Sequence, residues 1–396
     1  MSVWAQKSRI VITCAKGISS FLKEEVISLG FPVVSGDAAH IEIEGTMDDA
    51  MRLNLFIRTG HRVLFLIEEF DAKNPDELYN GVSRIRWENY FPEDGYISVT
   101  STVDNPTIQD LRFANLKCKD GIVDRMMAKF GRRPDSGPQR DRIVVHLYWK
   151  GDLCDVYLDT SGEPLSRRGY RRIPLRAPMQ ETLAAAVVLA TQWKGDGNFI
   201  NPMCGSGTLA IEAALIALNR APGLLRSNFG FMHLRGFDES SWKILRKKAR
   251  SMTKSSLNGR IIATDINQKA VEAAKKNALT GGIEHFIQFE KCDYSETLVP
   301  EGGGIVILNP EYGERMGEIE ALKETHKGIG DFFKKNCKGY TGYIFTGNFN
   351  LAKKVGLKTK RRIPFFSGPI ECRLLEYELY EGSRRKGRDI TNCFIG

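Results

Sequence analysis

Between two apolar stretches of this chain lies Asn201-Pro202-Met203-Cys204-Gly205-Ser206-Gly207-Thr208, preceded by Asn198-Phe199-Ile200 and followed by the periodic run Leu209 to Leu218. A strand, a turn with two glycines and a helix, in that order, restrict the fold more than any other feature, because the unit belongs to a largely parallel α/β sheet. The glycines let the backbone pass tightly over a ligand, and the helix start offers N–H groups that no intrahelical carbonyl satisfies. Such a turn holds a polar or anionic cofactor at the carboxyl edge of the sheet. Gly-x-Gly alone does not say which cofactor.

Three further strand ends narrow the choice. Ile261 to Asp265 and Ile287 to Asp293 are apolar or alternating runs that each finish in an acid, and Ile305 to Leu308 leads into Asn309-Pro310-Glu311-Tyr312. A carboxylate at Asp265 can accept from two ribose hydroxyls, and one at Asp293 can face an adenine amino group. Either acid also reads as a helix N-cap. A dinucleotide dehydrogenase would carry a third glycine and an acid roughly 20 residues on. Here the turn continues Gly207-Thr208-Leu209-Ala210 and the acid comes much later, and the chain has no Gly-x-x-x-x-Gly-Lys-[Ser/Thr] for a nucleoside triphosphate. A cofactor turn on one strand and a polar-Pro-x-aromatic turn on another point to chemistry on an amino group of a flat base.

The rest of the chain divides by pattern. Residues 1–60 read as a small α+β unit: strands at Arg9 to Cys14, Pro32 to Val34 and His40 to Ile43, a helix Ile18 to Leu29, and a helix capped by Thr46. Residues 61–160 read as a second α+β unit, with strands at Val63 to Ile67 and Tyr96 to Val103, helices at Asp76 to Ile85 and Leu111 to Phe130, and a hairpin around Lys150-Gly151. His40, His61 and His146 stand alone, so both units read as binding modules without catalytic spacing. Residues 161–178 are a basic connector rich in Gly and Pro, and 179–396 alternate strand and helix as a doubly wound domain interrupted by a less periodic insertion near 220–240.

Charge and cysteine usage bound the partners. A net charge of +9 favours a polyanion, most simply nucleic acid. The basic residues cluster, most densely at Arg167-Arg168-Gly169-Tyr170-Arg171-Arg172, with others at Arg132-Arg133, Arg246 to Lys248 and Lys358 to Arg362. Arg167, Arg168, Arg171 and Arg172 are therefore expected to contact phosphate. The eight cysteines are scattered without a Cys-x-x-Cys pair, which fits a reduced chain with no structural metal. No apolar run is long enough to span a bilayer, and Met1 to Lys7 lacks the apolar stretch of a secretory leader, so a cytoplasmic location without membrane association is expected.

The motifs together resemble those of class I S-adenosylmethionine-dependent RNA methyltransferases that carry a THUMP domain. The resemblance rests on Asn201 to Thr208 with Ile211-Glu212-Ala213-Ala214-Leu215-Ile216-Ala217, on Leu165 to Arg171 with Ala177 to Ala186, on Asn309 to Arg315, and on Ala221-Pro222-Gly223 and Phe229-Gly230-Phe231. It spans nearly the whole chain and is nearest to the bacterial enzymes that methylate the exocyclic amine of a guanine in large-subunit ribosomal RNA. It implies a Rossmann-like methyltransferase domain over 179–396, mostly parallel, preceded by a ferredoxin-like part (1–60), a THUMP RNA-binding domain (61–160) and a basic linker (161–178). It implies that Asn201, Pro202, Met203, Cys204, Gly205, Ser206, Gly207 and Thr208 hold the methionine part of S-adenosylmethionine, Asp265 its ribose and Asp293 its adenine. Asn309 and Pro310 would accept hydrogen bonds from the target amine, and Tyr312 would stack on the base. Two residues depart from the family pattern: Asn201 stands where the family has Asp, and Glu311 where it has a second proline. Glu311 either faces outward or supplies the negative charge that Asn201 lacks. Two other readings stay open, an adenine amino-methyltransferase and a non-catalytic RNA-binding or ribosome-assembly factor that keeps the fold.

Overall fold

The computed structural model describes residues 3–173, 175, 178–312 and 316–380. Two seven-stranded sheets organise it. The first contains β1 (Ser8–Cys14), β2 (Ser35–Gly36), β3 (His40–Gly45), β4 (Gly60–Asp71), β5 (Ile97–Asp104), β6 (Ile143–Lys150) and β7 (Leu153–Asp159), in the order β2-β3-β1-β4-β7-β6-β5. All its pairings are antiparallel except β5 with β6. Helices α1 (Ser19–Ser28), α2 (Met47–Phe56), α3 (Pro75–Arg84) and α4 (Leu111–Phe130) belong to this half. Thr46 begins α2 with a full capping box, in which its side chain accepts from Asp49 N and Asp49 returns a bond to the Thr46 N–H.

The boundary expected at residue 60 does not separate two sheets. It falls at the first residue of β4, a 12-residue strand that pairs with β1 on one side and β7 on the other. Val63, Leu64 and Phe65 are all buried, so the two α+β units share one sheet and a continuous core. The strand expected at Pro32 to Val34 is displaced to the two-residue β2, because proline lacks the N–H that a ladder needs.

The second sheet contains β8 (Asn198–Pro202), β9 (Ile261–Asp265), β10 (Ile287–Lys291), β11 (Gly304–Leu308), β12 (Tyr340–Thr346), β13 (Arg361–Ser367) and β14 (Ile370–Glu378). The order is β10-β9-β8-β11-β12-β14-β13, parallel from β10 through β12 and antiparallel for β14 and β13. Strand β13 was not expected from sequence. Its Arg361 and Arg362 belong to the basic cluster Lys358 to Arg362, and charged residues with Pro364 suit an edge strand. Strand β10 ends at Lys291, so Asp293 lies two residues past the strand that was expected to end on it. The chain winds outward from β8 through β10 and returns to β11 on the other side of β8. The sheet order therefore reverses between β8 and β11, which is where open α/β sheets place their ligands.

Helices α5 (Glu181–Ala190), α6 (Thr208–Ala217), α7 (Glu239–Ser251), α8 (Gln268–Thr280), α9 (Met316–Asn336) and α10 (Phe349–Ala352) complete this half. Nearly every residue of α5 and α6 is buried, as expected of helices covered on all sides. The insertion after α6 supplies part of that cover by docking on the first sheet's half. Phe231 N donates to Thr160 O, Arg235 N to Tyr90 O, and Trp4 Nε1 to Arg235 O. Buried Arg226 donates to the carbonyls of Ser161, Glu163, Pro164 and Asn228, and burial pulls its pKa down to about 10. Gly230 lies so close to Asp159 that a Cβ would meet its carbonyl at 2.3 Å. Among the described residues no helix is long and apolar enough to cross a membrane. The seven described cysteines are free, and Cys393 lies outside the described residues.

Candidate active site

The turn after β8 owes its shape to the backbone. Met203, Gly205 and Gly207 all have positive φ, at 55°, 55° and 81°. Gly207 admits no side chain, since an added Cβ would lie 2.9 Å from Ala274 Cβ on α8. At Gly205 an added Cβ meets nothing within 4 Å, so the space in front of the turn is open. Cys204 N donates to Thr264 O at 2.9 Å and Gly207 N to Cys204 O at 2.9 Å, which ties the turn to β9 and to itself. Thr208 then starts α6 with its first-turn N–H groups facing the turn.

Asn201 explains its own departure from the family pattern. The parallel ladder between β8 and β11 stops at Ile200 and Val306, and the two strands part. The Asn201 side chain bridges the gap, its Nδ2 donating to Ile307 O at 2.9 Å. A carboxylate could not donate there. Its Oδ1 is buried with no partner, an acceptor left for something the chain does not supply.

The two acids both do cap-type work. Asp265 Oδ2 accepts from Gly205 N at 2.9 Å, and Oδ1 from Asn267 N at 2.9 Å, so it braces the turn as well as the start of α8. Asp293 caps a short 3-10 turn, Tyr294–Glu296, through one oxygen that accepts from Ser295 N and Oγ. Asp265 is half-buried beside the turn, at the end of the strand next to β8, and Asp293 is half-buried beyond the end of β10.

The turn after β11 is arranged differently. None of Asn309 to Tyr312 has positive φ. Tyr312 OH donates to Asn309 Oδ1 at 3.1 Å, the oxygen expected to receive the target amine. Asn348 Nδ2 donates to Tyr312 O at 2.9 Å, and Cys372 Sγ lies 3.9 Å from the phenol oxygen. Burial, then the neighbouring Cys372, push the Tyr312 phenol well above its ordinary value, so it remains a donor at any working pH. Pro310 is buried and Glu311 exposed, which places Glu311 outward. Gly313, Glu314 and Arg315, the rest of the expected motif, lie outside the described residues, as does Ala177 of the linker.

The linker arginines part company. Arg167 and Arg172 are exposed, though Arg167 pairs with Glu163 at 2.5 Å. Arg168, expected on RNA phosphate, is 1% exposed. It donates to Leu165 O at 2.9 Å and to Arg58 O, and pairs with buried Glu212 of α6 at 3.5 Å. A phosphate cannot reach it, and its charge instead joins the two halves of the molecule. Arg171 turns inward too, to Thr208 Oγ1 at 3.0 Å, Met179 O at 2.5 Å and Glu181 at 3.6 Å. Sequence reasoning missed Glu212, Asn277, Asn348 and Cys372. For Asn277 a signal existed: it is the polar member of the buried stripe Ala270, Ala273, Ala274, Asn277.

Three regions of the chain match known families. Residues 9–64 match the RlmL ferredoxin-like domain, 72–159 the THUMP domain and 168–376 the RMKL-like methyltransferase domain. Ribosomal RNA large subunit methyltransferase K/L of Syntrophotalea carbinolica is 36% identical over 93% of this chain and 53% of its own length. The chain thus spans about half the length of that kind of relative. Putative RNA methyltransferase slr0064 of Synechocystis is 33% identical over 93% of this chain and 96% of its own. Among solved structures, the putative methyltransferase SMU.472, complexed with SAH, is 27% identical with a TM-score of 0.85, covering 96% of this chain and 100% of that one. A Rossmann-like sheet with two motif-bearing turns at its reversal, behind ferredoxin-like and THUMP modules, makes this chain a member of the RMKL-like methyltransferase family.

Proposed function

We propose that this chain transfers a methyl group from S-adenosylmethionine to the exocyclic amine of a guanine in structured RNA, most simply large-subunit ribosomal RNA. One observation carries the reading: the turn at Asn201 to Thr208 and the turn at Asn309 to Tyr312 end adjacent parallel strands where the sheet order reverses. The residues present fit the cofactor. Asn201 Oδ1 is a buried acceptor without a partner, suited to an ammonium, and the space over Gly205 is open. Asp265, beside the turn, would hold the ribose and Asp293 the adenine. When bound, S-adenosylmethionine would supply a methyl group on a sulfonium, whose S–C bond breaks as the N–C bond forms and which leaves as the neutral thioether S-adenosylhomocysteine.

The chain's own part is positioning. A guanine amine is nearly non-basic and needs no strong base before it attacks. Asn309 Oδ1 and the Pro310 carbonyl accept its two N–H bonds, which turns the nitrogen lone pair toward the methyl. In the resting chain the phenol of Tyr312 holds Asn309 Oδ1, so the entering amine displaces the hydroxyl and the ring becomes free to stack on the base. After transfer the nitrogen sheds its proton to water past the same acceptors. Buried Pro310 keeps its carbonyl fixed, while outward Glu311 carries no step.

The THUMP match, the names of the relatives and the net charge of +9 support RNA as substrate. Of the four arginines expected on phosphate, Arg167 and Arg172 are the exposed ones. The test is transfer of labelled methyl from S-adenosylmethionine to undermodified large-subunit rRNA, followed by nucleoside digestion and mass spectrometry. N2-methylguanosine is the expected product. Label on adenine instead would move the chain to the adenine amino-methyltransferases. No transfer together with no calorimetric binding of S-adenosylhomocysteine would leave a non-catalytic RNA-binding factor.

A further inference from the structure

Asn277 stands on α8, outside every motif considered above, yet its fully buried side chain meets the cofactor turn from behind. Its Oδ1 accepts from Arg172 N at 2.9 Å and from Ile173 N at 3.1 Å. Its Nδ2 donates to Ser206 O at 3.1 Å and to Ile173 O at 3.3 Å. All four hydrogen-bonding positions of the amide are therefore used. Three serve the segment that joins the halves of the molecule, and one reaches the cofactor turn.

The Ser206 contact matters because of its neighbours. Ser206 lies between Gly205 and Gly207, both at positive φ. A peptide flanked by glycines is not held in one orientation by side-chain sterics. Asn277 holds the Ser206 carbonyl at one end of a peptide whose other end, Gly207 N–H, bonds Cys204 O inside the turn. The connector it grips is itself fixed at its other end, where Arg168 bonds Arg58 O and Glu212. Arg171, between those anchors, bonds Thr208 Oγ1 at the other end of the turn.

We infer that Asn277 is a positioning residue for the cofactor, holding the Ser206 peptide of the turn against the connector between the two halves. The inference rests on the proposed reading of the turn as the S-adenosylmethionine site. It touches neither cofactor nor base itself and acts through Ser206.

The experiment compares the full chain with Asn277→Ala and Asn277→Asp. Calorimetry gives the Kd of S-adenosylhomocysteine, and steady-state methylation of rRNA gives KM for S-adenosylmethionine and kcat. Losing the bond to Ser206 O is expected to raise Kd and KM about tenfold in both variants, with kcat at saturation little changed. Asn277→Asp keeps acceptors for Arg172 N and Ile173 N but sets an oxygen against the Ser206 and Ile173 carbonyls, so both variants should lower the thermal midpoint. Hydrogen exchange of residues 204–208 in the Asp variant should accelerate even if the Ala variant does not fold. A fall in thermal midpoint with Kd and loop exchange as in wild type would mean that Asn277 only packs, and would overturn the inference. If wild type binds S-adenosylhomocysteine and the variants bind it equally, the inference fails while the functional reading stands. A wild-type chain that binds none overturns both.

Discussion

The turns after β8 and β11 end neighbouring strands on one sheet edge, yet they are built on opposite principles. The β8 turn is a backbone construction, with three residues at positive φ, no room for a Cβ at Gly207, N–H groups that donate to Thr264 and Asp265, and a carbonyl that accepts from Asn277. The β11 turn has ordinary backbone from Asn309 to Tyr312 and is held by side chains, chiefly Tyr312 on Asn309 and Asn348 on Tyr312. A turn pinned by close packing at Gly207 and by hydrogen bonds to the elements behind it does not rearrange when a ligand arrives. Side-chain hydrogen bonds exchange with a ligand's at little cost, because one bond replaces another. The first turn suits a cofactor that always binds in one pose, the second a base that must enter, be gripped and leave.

The largest effect should come from removing the brace behind the first turn. Arg168→Ala leaves Glu212 buried on α6 without its cation, with Glu212 Oε2 already lacking a partner. Such a loss costs about 3–5 kcal/mol, read as a lowered urea midpoint, whereas Arg167→Ala on the exposed neighbour should shift it by under about 0.5 kcal/mol. Equal effects would mean that the pair with Glu212 does not join the halves.

Next comes Asn309→Ala, which should leave stability within about 1 kcal/mol, since at rest it loses only the bond from the Tyr312 hydroxyl, but should lower kcat by roughly a hundredfold or more, since the amine then lacks its acceptor. A large loss of stability without a rate effect would make the second turn structural like the first. Gly207→Ala should behave in the reverse sense. The positive φ and the 2.9 Å approach to Ala274 make it destabilising by about 2–3 kcal/mol, whatever its effect on the rate. Urea unfolding of the two variants side by side checks the comparison directly.

The contrast between the turns also sets how much could be read from sequence. The β8 turn was legible because glycine is what positive φ demands, and a strand–glycine–helix order has few alternatives. Asn309 to Tyr312 was legible as chemistry, but its resting hydrogen bond was not, since nothing in the order of residues tells a tyrosine to fold back on the asparagine three positions before it. Arg168 misled for a related reason. A run of arginines normally reads as solvated, and only the Arg58 carbonyl, 110 residues earlier, and Glu212, 44 later, make one of them a buried joint. The same holds for the insertion: its Gly223 and Gly230 are explained by backbone from Asn54, Leu55 and Asp159, contacts that local pattern cannot reveal. The shared β4 was hidden because a strand belonging to two units reads identically to a strand belonging to one.

The smallest expected effect tests the second turn most finely. Tyr312→Phe keeps a ring for stacking and removes the hydroxyl that occupies Asn309 Oδ1. Because burial holds the phenol protonated, that hydroxyl is a donor throughout the neutral range, and it competes with the target amine rather than helping it. Asn309 is half-buried, so its oxygen can turn to water once the hydroxyl is gone, and stability should change by under about 1 kcal/mol. The rate at low RNA concentration should then rise or hold, within about threefold, and should show no inflection near neutral pH attributable to this residue. Tyr312→Ala, by contrast, loses the stack, worth about 1–3 kcal/mol per base, and should fall in kcat/KM by roughly tenfold or more. If the phenylalanine variant falls as far as the alanine variant, the hydroxyl acts on the base itself, and the bond to Asn309 is part of the working site rather than a contact the base displaces.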